Sequence, residues 1–265
     1  MAFPERIVCL TAETAELAFA LGCSERVVGV TGYAVRPPEV RQKPRVAAFR
    51  TAAIDRILAL RPDLVLGFSD LQASIAAELI QRGVTVLVTN QRTLAETYEA
   101  MLLIARVLDA VGEGERLVAE MQTRLRLVAA NAPAQGPVVY FEEWDVPMIT
   151  GIAWVGELIH LAGGRDAFPE KRAQDAGSRI VTSEDVVQRR PEIIVASWCG
   201  KKANLERIRN RPGWSDIPAV KHGQIYEIKA PDILQPGLSL VHGAEQLGAM
   251  IRKWADSGSW TLGPE

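Results

Sequence analysis

The chain has 265 residues, of which 48% are hydrophobic and 23% charged, with a formal net charge of −2. This length suffices for one large domain or two medium lobes with cores of their own. The near-neutral charge argues against a broad attraction to nucleic acid, and no apolar run approaches the roughly 18 residues that cross a bilayer. The cysteines Cys9, Cys23 and Cys199 lack metal-ligand spacing, and their odd number argues against a disulfide framework.

Short β-branched runs alternate with amphipathic segments in the first third of the chain. Strands are predicted at 6–10, 26–31, 63–67 and 84–88, helices at 14–21, 54–60 and 72–82, and a Pro-containing loop at 33–44. Strand–helix alternation at this spacing predicts βαβ units and a largely parallel sheet.

The segment 93–131 contains no proline and has apolar residues at helical spacing, which predicts one long α-helix. Gly112 and Gly114 leave open the alternative of two shorter helices split there. Breaker residues at 131–137 end the segment, and the alternation resumes with strands at 138–141 and 192–196 and a helix at 154–162. We therefore expect an α/β fold of two Rossmann-like lobes with parallel-type sheets, at 1–92 and 132–265, joined by the helix at 93–131, with a ligand cleft between the lobes.

An internal repeat relates residues 55–66 to residues 184–195. In each copy an acid, Asp55 or Glu184, opens a short amphipathic helix, and an Arg-Pro pair ends it. A second acid follows, and then a four-residue apolar strand. Such self-similarity predicts duplicated lobes, although any helix-to-strand connection shares some of these features.

Side chains that follow the predicted strands are candidates for ligand binding, because open parallel sheets bind ligands beyond the carboxyl ends of their strands. The predicted ligand-binding residues are Tyr33, Phe49, Phe68, Ser69, Asp70, Glu142, Glu143, Trp144, Asp145, Trp198, Cys199 and Lys201. Their aromatic rings offer broad, rigid contact area, which suits a wide, flat ligand. Phe49 and Phe68 could instead pack in a core, whereas Trp144 and Trp198 have polar neighbours in predicted loops.

Motifs of the common enzyme classes are missing from the sequence. It contains no GxGxxG after a strand, no P-loop and no GxSxG, and its three histidines share no metal-binding spacing. We therefore predict no catalytic residue, no metal site and no enzymatic activity. The carboxylates at 142–145 are interpreted as hydrogen-bonding groups for ligand amides. The alternative is a hydrolase that uses Glu142 and Glu143 or Cys199.

Several segments resemble those of a known family: RIVCLT at 6–11, TAELAFALG at 14–22, VVGVTGY at 27–33, ILALRPDLV at 57–65, FEEWD at 141–145, AGGRDAF at 162–168 and SWCGKK at 197–202. They resemble the cobalamin-binding proteins within the class III, helical-backbone solute-binding proteins of ABC transporters. The group also includes siderophore and haem binders. The resemblance implies capture of a corrinoid, without an intrinsic cofactor, for ABC-type uptake or intracellular salvage. The alternative ligands are haem or a ferric siderophore.

The resemblance also implies roles for particular residues. Tyr33, Phe49 and Phe68 fall where the family places aromatic groups against the corrin, although two of the three are Phe rather than Trp. Asp55 and Glu184 match the acids that dock onto arginines of a permease, although an acid in the first turn also stabilises the helix dipole. The second-lobe aromatics of the family have no counterparts at Met148 and Ser178.

The predicted partners are a small-molecule ligand and an ABC permease, with no nucleic acid and no membrane insertion, and the protein is expected to be a monomer. The first five residues lead into a predicted strand without the features of an export signal. The sequence as given therefore predicts a cytoplasmic location, or a periplasmic one if the chain is a mature or truncated form.

Overall fold

The computed structural model describes residues 4–172 and 175–257. The chain divides into two compact units. The first comprises Met1–Met121 and Gln235–Leu238, and the second comprises Gln122–Leu234 and Ser239–Glu265. The boundary near Met121 lies inside the segment that was predicted to connect two lobes.

The first unit contains a five-stranded parallel sheet, as the strand–helix alternation predicted. Its strands are β1 (Ile7–Cys9), β2 (Val27–Thr31), β3 (Arg45–Ala47), β4 (Leu64–Phe68) and β5 (Val86–Thr89), in the order β3-β2-β1-β4-β5. Its helices are α1 (Ala12–Ala20), α2 (Ile54–Ala59), α3 (Ala73–Gln81) and α4 (Leu94–Val107). Apolar side chains of the strands pack against those of α2 and α3 and form a buried core. The short edge strand β3 was not predicted, because it carries only three residues after the proline-containing loop.

The second unit contains another five-stranded sheet, which is mostly parallel. Its strands are β6 (Val138–Asp145), β7 (Met148–Thr150), β8 (Arg165–Asp166), β9 (Ile193–Ala196) and β10 (Ile225–Glu227). The order is β10-β9-β6-β7, with β8 also paired to β6, and only the β6–β7 pair is antiparallel. The helices of this unit are α6 (Ala153–Leu161), α7 (Ser183–Arg189), α8 (Leu205–Arg209), α9 (Pro218–Lys221), α10 (Ala230–Ile233) and α11 (Leu240–Asp256). Helix α5 (Val111–Ala130) begins in the first unit and ends in the second.

The segment predicted as one long helix forms two helices, α4 and α5. The break does not fall at the glycines. Asp109 has a left-handed backbone (φ 54°), and the Ala110 amide donates to the Ala105 carbonyl at 2.8 Å, so α4 ends in a Schellman motif. Gly114 instead allows close packing, because a Cβ there would collide with the Ala105 Cβ. The prediction of a single continuous helix was therefore wrong at this point.

The internal repeat is visible as the same local structure in both units. Just after its last helical turn, each of α2 and α7 has an arginine with a left-handed backbone, Arg61 (φ 49°) and Arg190 (φ 46°). The acid that follows each Arg-Pro pair binds the amide at the start of the unit's first strand. Asp63 Oδ1 accepts from the Arg6 amide at 3.0 Å, and Glu192 Oε2 accepts from the Val138 amide at 2.8 Å. The repeated acids therefore align β1 with β4 and β6 with β9.

Candidate ligand-binding site

In the first unit, the end of β4 presents an ion pair rather than an open aromatic face. The Arg92 guanidinium lies 5.1 Å from the centre of the Phe68 ring and donates to Asp70 Oδ1 at 2.9 Å and to Ser69 Oγ at 3.3 Å. Phe68 is buried, with only 6% of its surface exposed. The prediction of Phe68 as a stacking surface is therefore corrected, because Arg92 covers it and the surrounding core encloses it.

Two other predicted aromatics of this unit differ in accessibility. Tyr33 follows β2 and is about half exposed, so its ring is available to a ligand. Phe49 is partly buried, and its carbonyl accepts from Gln72 Nε2 at 2.9 Å. The fully buried Gln72 also accepts from the Phe68 amide at 3.0 Å, and it therefore joins the loop of Phe49 to the end of β4. Neither Gln72 nor Arg92 is among the residues predicted from the sequence.

The four residues Glu142, Glu143, Trp144 and Asp145 lie in strand β6 and not in the predicted loop. A two-residue turn at 146–147 connects β6 to β7, and the register shifts between Glu142 and Trp144, which marks a β-bulge. Charged residues made this stretch look like a loop. The strand tolerates them because each carboxylate has a cationic partner.

Glu142 is completely buried and is fully occupied by protein donors. Its carboxylate accepts from both terminal nitrogens of Arg211, at 2.7 and 3.1 Å, from the Trp198 indole nitrogen at 3.2 Å and from the Tyr140 hydroxyl at 3.1 Å. Burial, and then the neighbouring Glu142 charge, hold the pKa of Tyr140 well above its ordinary value. Glu142 is thus a core ion-pair residue, which contradicts its predicted role as a ligand contact.

The Glu143 carboxylate forms a second ion pair, with Arg179. Arg179 is buried; it donates to Glu143 Oε1 at 3.0 Å and also binds Glu143 Oε2 and the Thr150 carbonyl. Glu143 retains some solvent exposure. The Arg179 guanidinium thus neutralises Glu143 and uses one acceptor site on each of its oxygens, and the exposed part of the carboxylate can still accept a further hydrogen bond.

The Asp145 carboxylate is held between two cations. Lys201 Nζ lies 2.7 Å from Oδ1, and an Arg207 nitrogen lies 2.8 Å from Oδ2. Although burial favours the neutral acid, the hydrogen bond and charge of Lys201 lower the pKa of Asp145 below its ordinary value, so the side chain is an anion at neutral pH. The same Lys201 ammonium lies 4.0 Å from the centre of the Trp144 ring and 4.7 Å from that of Trp198.

The two predicted tryptophan contacts differ in burial. Trp144 is partly exposed, and its indole nitrogen donates to the Val146 carbonyl at 2.9 Å. Trp198 has 4% of its surface exposed and packs in the core of the second unit, which contradicts its prediction as an open loop contact. Its hydrogen bond to the buried Glu142 explains why it turns inward.

Cys199 follows Trp198 and is exposed. Desolvation of the sulfur, and then the Glu143 carboxylate, raise the pKa of its thiol above the ordinary value. A nucleophilic cysteine requires a lowered thiol pKa. The hydrolase alternative therefore lacks an activated nucleophile at Cys199. It also lacks an unpaired carboxylate at Glu142 or Glu143.

In the described ranges, no group of three or more histidine, cysteine or acidic side chains is arranged to hold a metal ion.

Asp55 and Glu184, the acids matched to permease docking, are both exposed and lie in the first turns of α2 and α7. The Asp55 side chain is 94% exposed and lies 3.3 Å from an Arg82 nitrogen. Corresponding turns of the two repeat copies thus present an accessible acid.

A buried acid, Glu13, follows β1 and lies in the first turn of α1. The Glu13 side chain lines a small cavity with Gln91, Met101, Pro236 and other residues of the first unit. Glu13 Oε1 and Gln91 Oε1 have no hydrogen-bond partner among the residues that the structure describes. Burial raises the pKa of Glu13 from 4.5 to about 7, against a smaller lowering effect of its hydrogen bond with Thr11.

Residues 7–231 match the family described as periplasmic binding protein, and the chain belongs to this family. It is 30% identical over 259 residues to the uncharacterized ABC transporter substrate-binding lipoprotein YvrC of Bacillus subtilis, covering 94% of this chain and 80% of the relative. It is 25% identical to the vitamin B12-binding protein of Vibrio cholerae, with 94% and 90% covered. These relationships define a substrate-binding protein of ABC transporters.

Solved structures support the same fold. The periplasmic haem-binding protein RhuT from Roseiflexus, in its apo form, has a TM-score of 0.81 with 24% identity, covering 93% of this chain and 97% of the other.

Among residues 4–172 and 175–257, none of the helices has the length and apolar composition that crossing a membrane requires. The relatives include a lipoprotein and periplasmic proteins, so the comparisons give no support to the predicted cytoplasmic location.

Proposed function

We propose that this protein captures a corrinoid and delivers it to an ABC permease. The observation that carries the proposal is an aromatic ring with exposed surface in each unit: Tyr33 after β2, about half exposed, and Trp144 near the end of β6, partly exposed and packed against the core. Broad aromatic faces suit a macrocycle. The similarity to vitamin B12-binding proteins supports the same ligand class.

The proposal assigns no chemical step to the protein. The acids that could act as a general acid or base, Glu142 and Glu143, are each bound by an arginine, and the Cys199 thiol has a raised pKa. Binding would instead depend on stacking and apolar contact. Phe49 and the accessible part of the Ser69–Asp70 turn remain proposed contacts in the first unit.

Isothermal titration with cyanocobalamin and dicyanocobinamide tests the proposal. We expect binding of at least one corrinoid, with a change in its visible spectrum. Tyr33→Ala and Trp144→Ala should each weaken binding about threefold to tenfold, since an aromatic contact contributes roughly 0.5–1.5 kcal/mol beyond its area. Tyr98→Ala, on helix α4, is the matched aromatic control. No binding of either corrinoid at high micromolar concentration would exclude this function.

Haem or a ferric siderophore is a second candidate ligand. The ion pairs of the second unit make its charge less unfavourable to an anionic ligand than the acids of the sequence alone suggest. Taken by themselves, the three acids at 142–145 would repel an anionic ligand. In the structure Glu142 and Glu143 are neutralised by arginines, and Asp145 faces two cations. A thermal-shift series with haem, ferric siderophores and corrinoids separates the candidates, because stabilisation grows with the ratio of ligand concentration to Kd.

Docking onto a permease through Asp55 and Glu184 is the second part of the proposal. Both acids are exposed, and they occupy the same position in the two copies of the repeat. Asp55→Lys and Glu184→Lys should leave ligand affinity unchanged and abolish ligand-stimulated ATP hydrolysis by the reconstituted transporter. Asp216→Lys, a reversal at an 80% exposed acid outside the repeat, is the control. Full stimulation by the double variant would contradict the docking assignment.

A further inference from the structure

One group of charges in the second unit is unbalanced. Glu142 and Glu143 each pair with one arginine, whereas the single Asp145 carboxylate faces both Lys201 and Arg207. The Asp145 side chain is 2% exposed, while Lys201 and Arg207 are 41% and 55% exposed. This group, which we call the Asp145 cluster, therefore carries one positive charge in excess, and that charge is accessible to solvent.

Lys201 is the member of the Asp145 cluster that lies against the aromatic rings. Its ammonium is 4.0 Å from the centre of the Trp144 ring and 4.7 Å from that of Trp198. Cation–π attraction to an indole face holds an ammonium at such a distance. A flat ligand that stacks on the exposed part of the Trp144 ring would meet the Lys201 ammonium there and would share the ring with it or displace it.

Displacement of Lys201 would not leave Asp145 uncompensated. Arg207 binds the other oxygen of the same carboxylate at 2.8 Å and would remain in place. The Lys201 ammonium, in contrast, would lose both its carboxylate and its aromatic contacts at a site that a bound ligand shields from water. An anionic group on the ligand would satisfy it through a charge-assisted hydrogen bond, which is shorter and stronger than a neutral one.

We propose that Lys201 is a specificity-determining residue that selects ligands carrying an anionic group at the edge of a flat macrocycle. This inference rests on the proposed function, because it presupposes a macrocycle at Trp144. The phosphodiester of a complete cobalamin and the carboxylates of haem both provide the required chemistry. An uncharged periphery that offers only amides does not.

The test compares two corrinoids on the same variants. Cyanocobalamin carries a phosphodiester, whereas dicyanocobinamide lacks it, and both are neutral overall. Lys201→Gln should weaken cyanocobalamin binding about tenfold, which corresponds to ~1.4 kcal/mol. It should not weaken dicyanocobinamide binding, and should strengthen it if anything changes, because no ammonium is then displaced without a partner. Lys201→Arg should restore most of the loss. Lys202→Gln removes the adjacent exposed charge and should affect neither ligand.

Haem provides a third arm: its carboxylates supply the anionic group, so Lys201→Gln should weaken haem binding as well. An equal loss for cyanocobalamin and dicyanocobinamide would show that Lys201 acts only through packing and would overturn the inference. An equal loss in Lys202→Gln would also overturn it, because any nearby positive charge would then have the same effect. Failure of the parent protein to bind any of the three macrocycles would instead refute the proposed function.

Discussion

Replacement of Glu13 by Gln tests whether a buried carboxyl controls the response of this protein to pH. Glu13 lies in the first turn of α1, with 7% of its surface exposed, and its Oε1 faces no hydrogen-bond donor in the described ranges. Gln keeps nearly the same shape and cannot ionise. The substitution therefore removes the titration of Glu13 while retaining its packing.

The expected magnitude follows from the raised pKa of Glu13, which is about 7 in the folded protein against an ordinary 4.5. The folded state holds the proton more tightly than the unfolded state, so the stabilisation is fully present below about pH 4.5 and is lost as the pH rises to about 7. At about 1.4 kcal/mol per pKa unit, the loss amounts to about 3 kcal/mol. The sign is opposite to that of a salt-bridged acid.

Denaturant unfolding of the parent protein and of Glu13→Gln, at pH 5 and at pH 8, measures this effect. The parent should lose about 2.5 kcal/mol more than the variant between these two pH values, because a small part of the loss has already occurred at pH 5. Glu78→Gln, at an exposed acid of helix α3, is the control and should follow the parent. If the stabilities of parent and Glu13→Gln change in parallel with pH, the carboxyl does not titrate as its burial predicts, and the reasoning fails.

Two further substitutions test the packing of each unit. Arg211→Met should destabilise the protein by about 3–5 kcal/mol, because it leaves the buried Glu142 carboxylate without its cation; a loss below about 1 kcal/mol in denaturant unfolding would contradict this account. Gly237→Ala would place a Cβ 3.0 Å from the Glu13 Cβ, and such overpacking typically costs about 1–3 kcal/mol. A melting temperature equal to that of the parent would show that the segment around Gly237 shifts freely.

Sequence periodicity predicted most of the fold because the signals for its strands and helices are local. Buried strands such as β4 and β9 are short apolar runs bounded by breakers, and their positions agree within about two residues with the predicted ones. The end of α4 was missed because Asp109, rather than a glycine, adopts the left-handed conformation there. An aspartate in this position gives a weaker sequence signal than glycine does.

The candidate site could be predicted only in part because its electrostatics depend on distant partners. Glu142 and Glu143 looked available for a ligand, but Arg211 and Arg179 lie 69 and 36 residues further along the chain. No local pattern indicates such pairing. Polar neighbours likewise made Trp198 look exposed, whereas its hydrogen bond to Glu142 places it in the core. Tyr33, in a turn, and Trp144, near the end of a strand, keep exposed surface, and their roles as ligand contacts stay predictions.

The hydrogen bonds that precede α2 and α7 determine the edge of each sheet at which these helices begin. The Ala53 amide binds the Val46 carbonyl of β3, and the Val181 amide binds the Met148 carbonyl at the start of the antiparallel β7, beside the end of β6. Both helices therefore begin at the edge that also carries Tyr33 or Trp144. Within each unit, the acid proposed to dock onto a permease therefore lies at the same sheet edge as the aromatic ring proposed to contact the ligand.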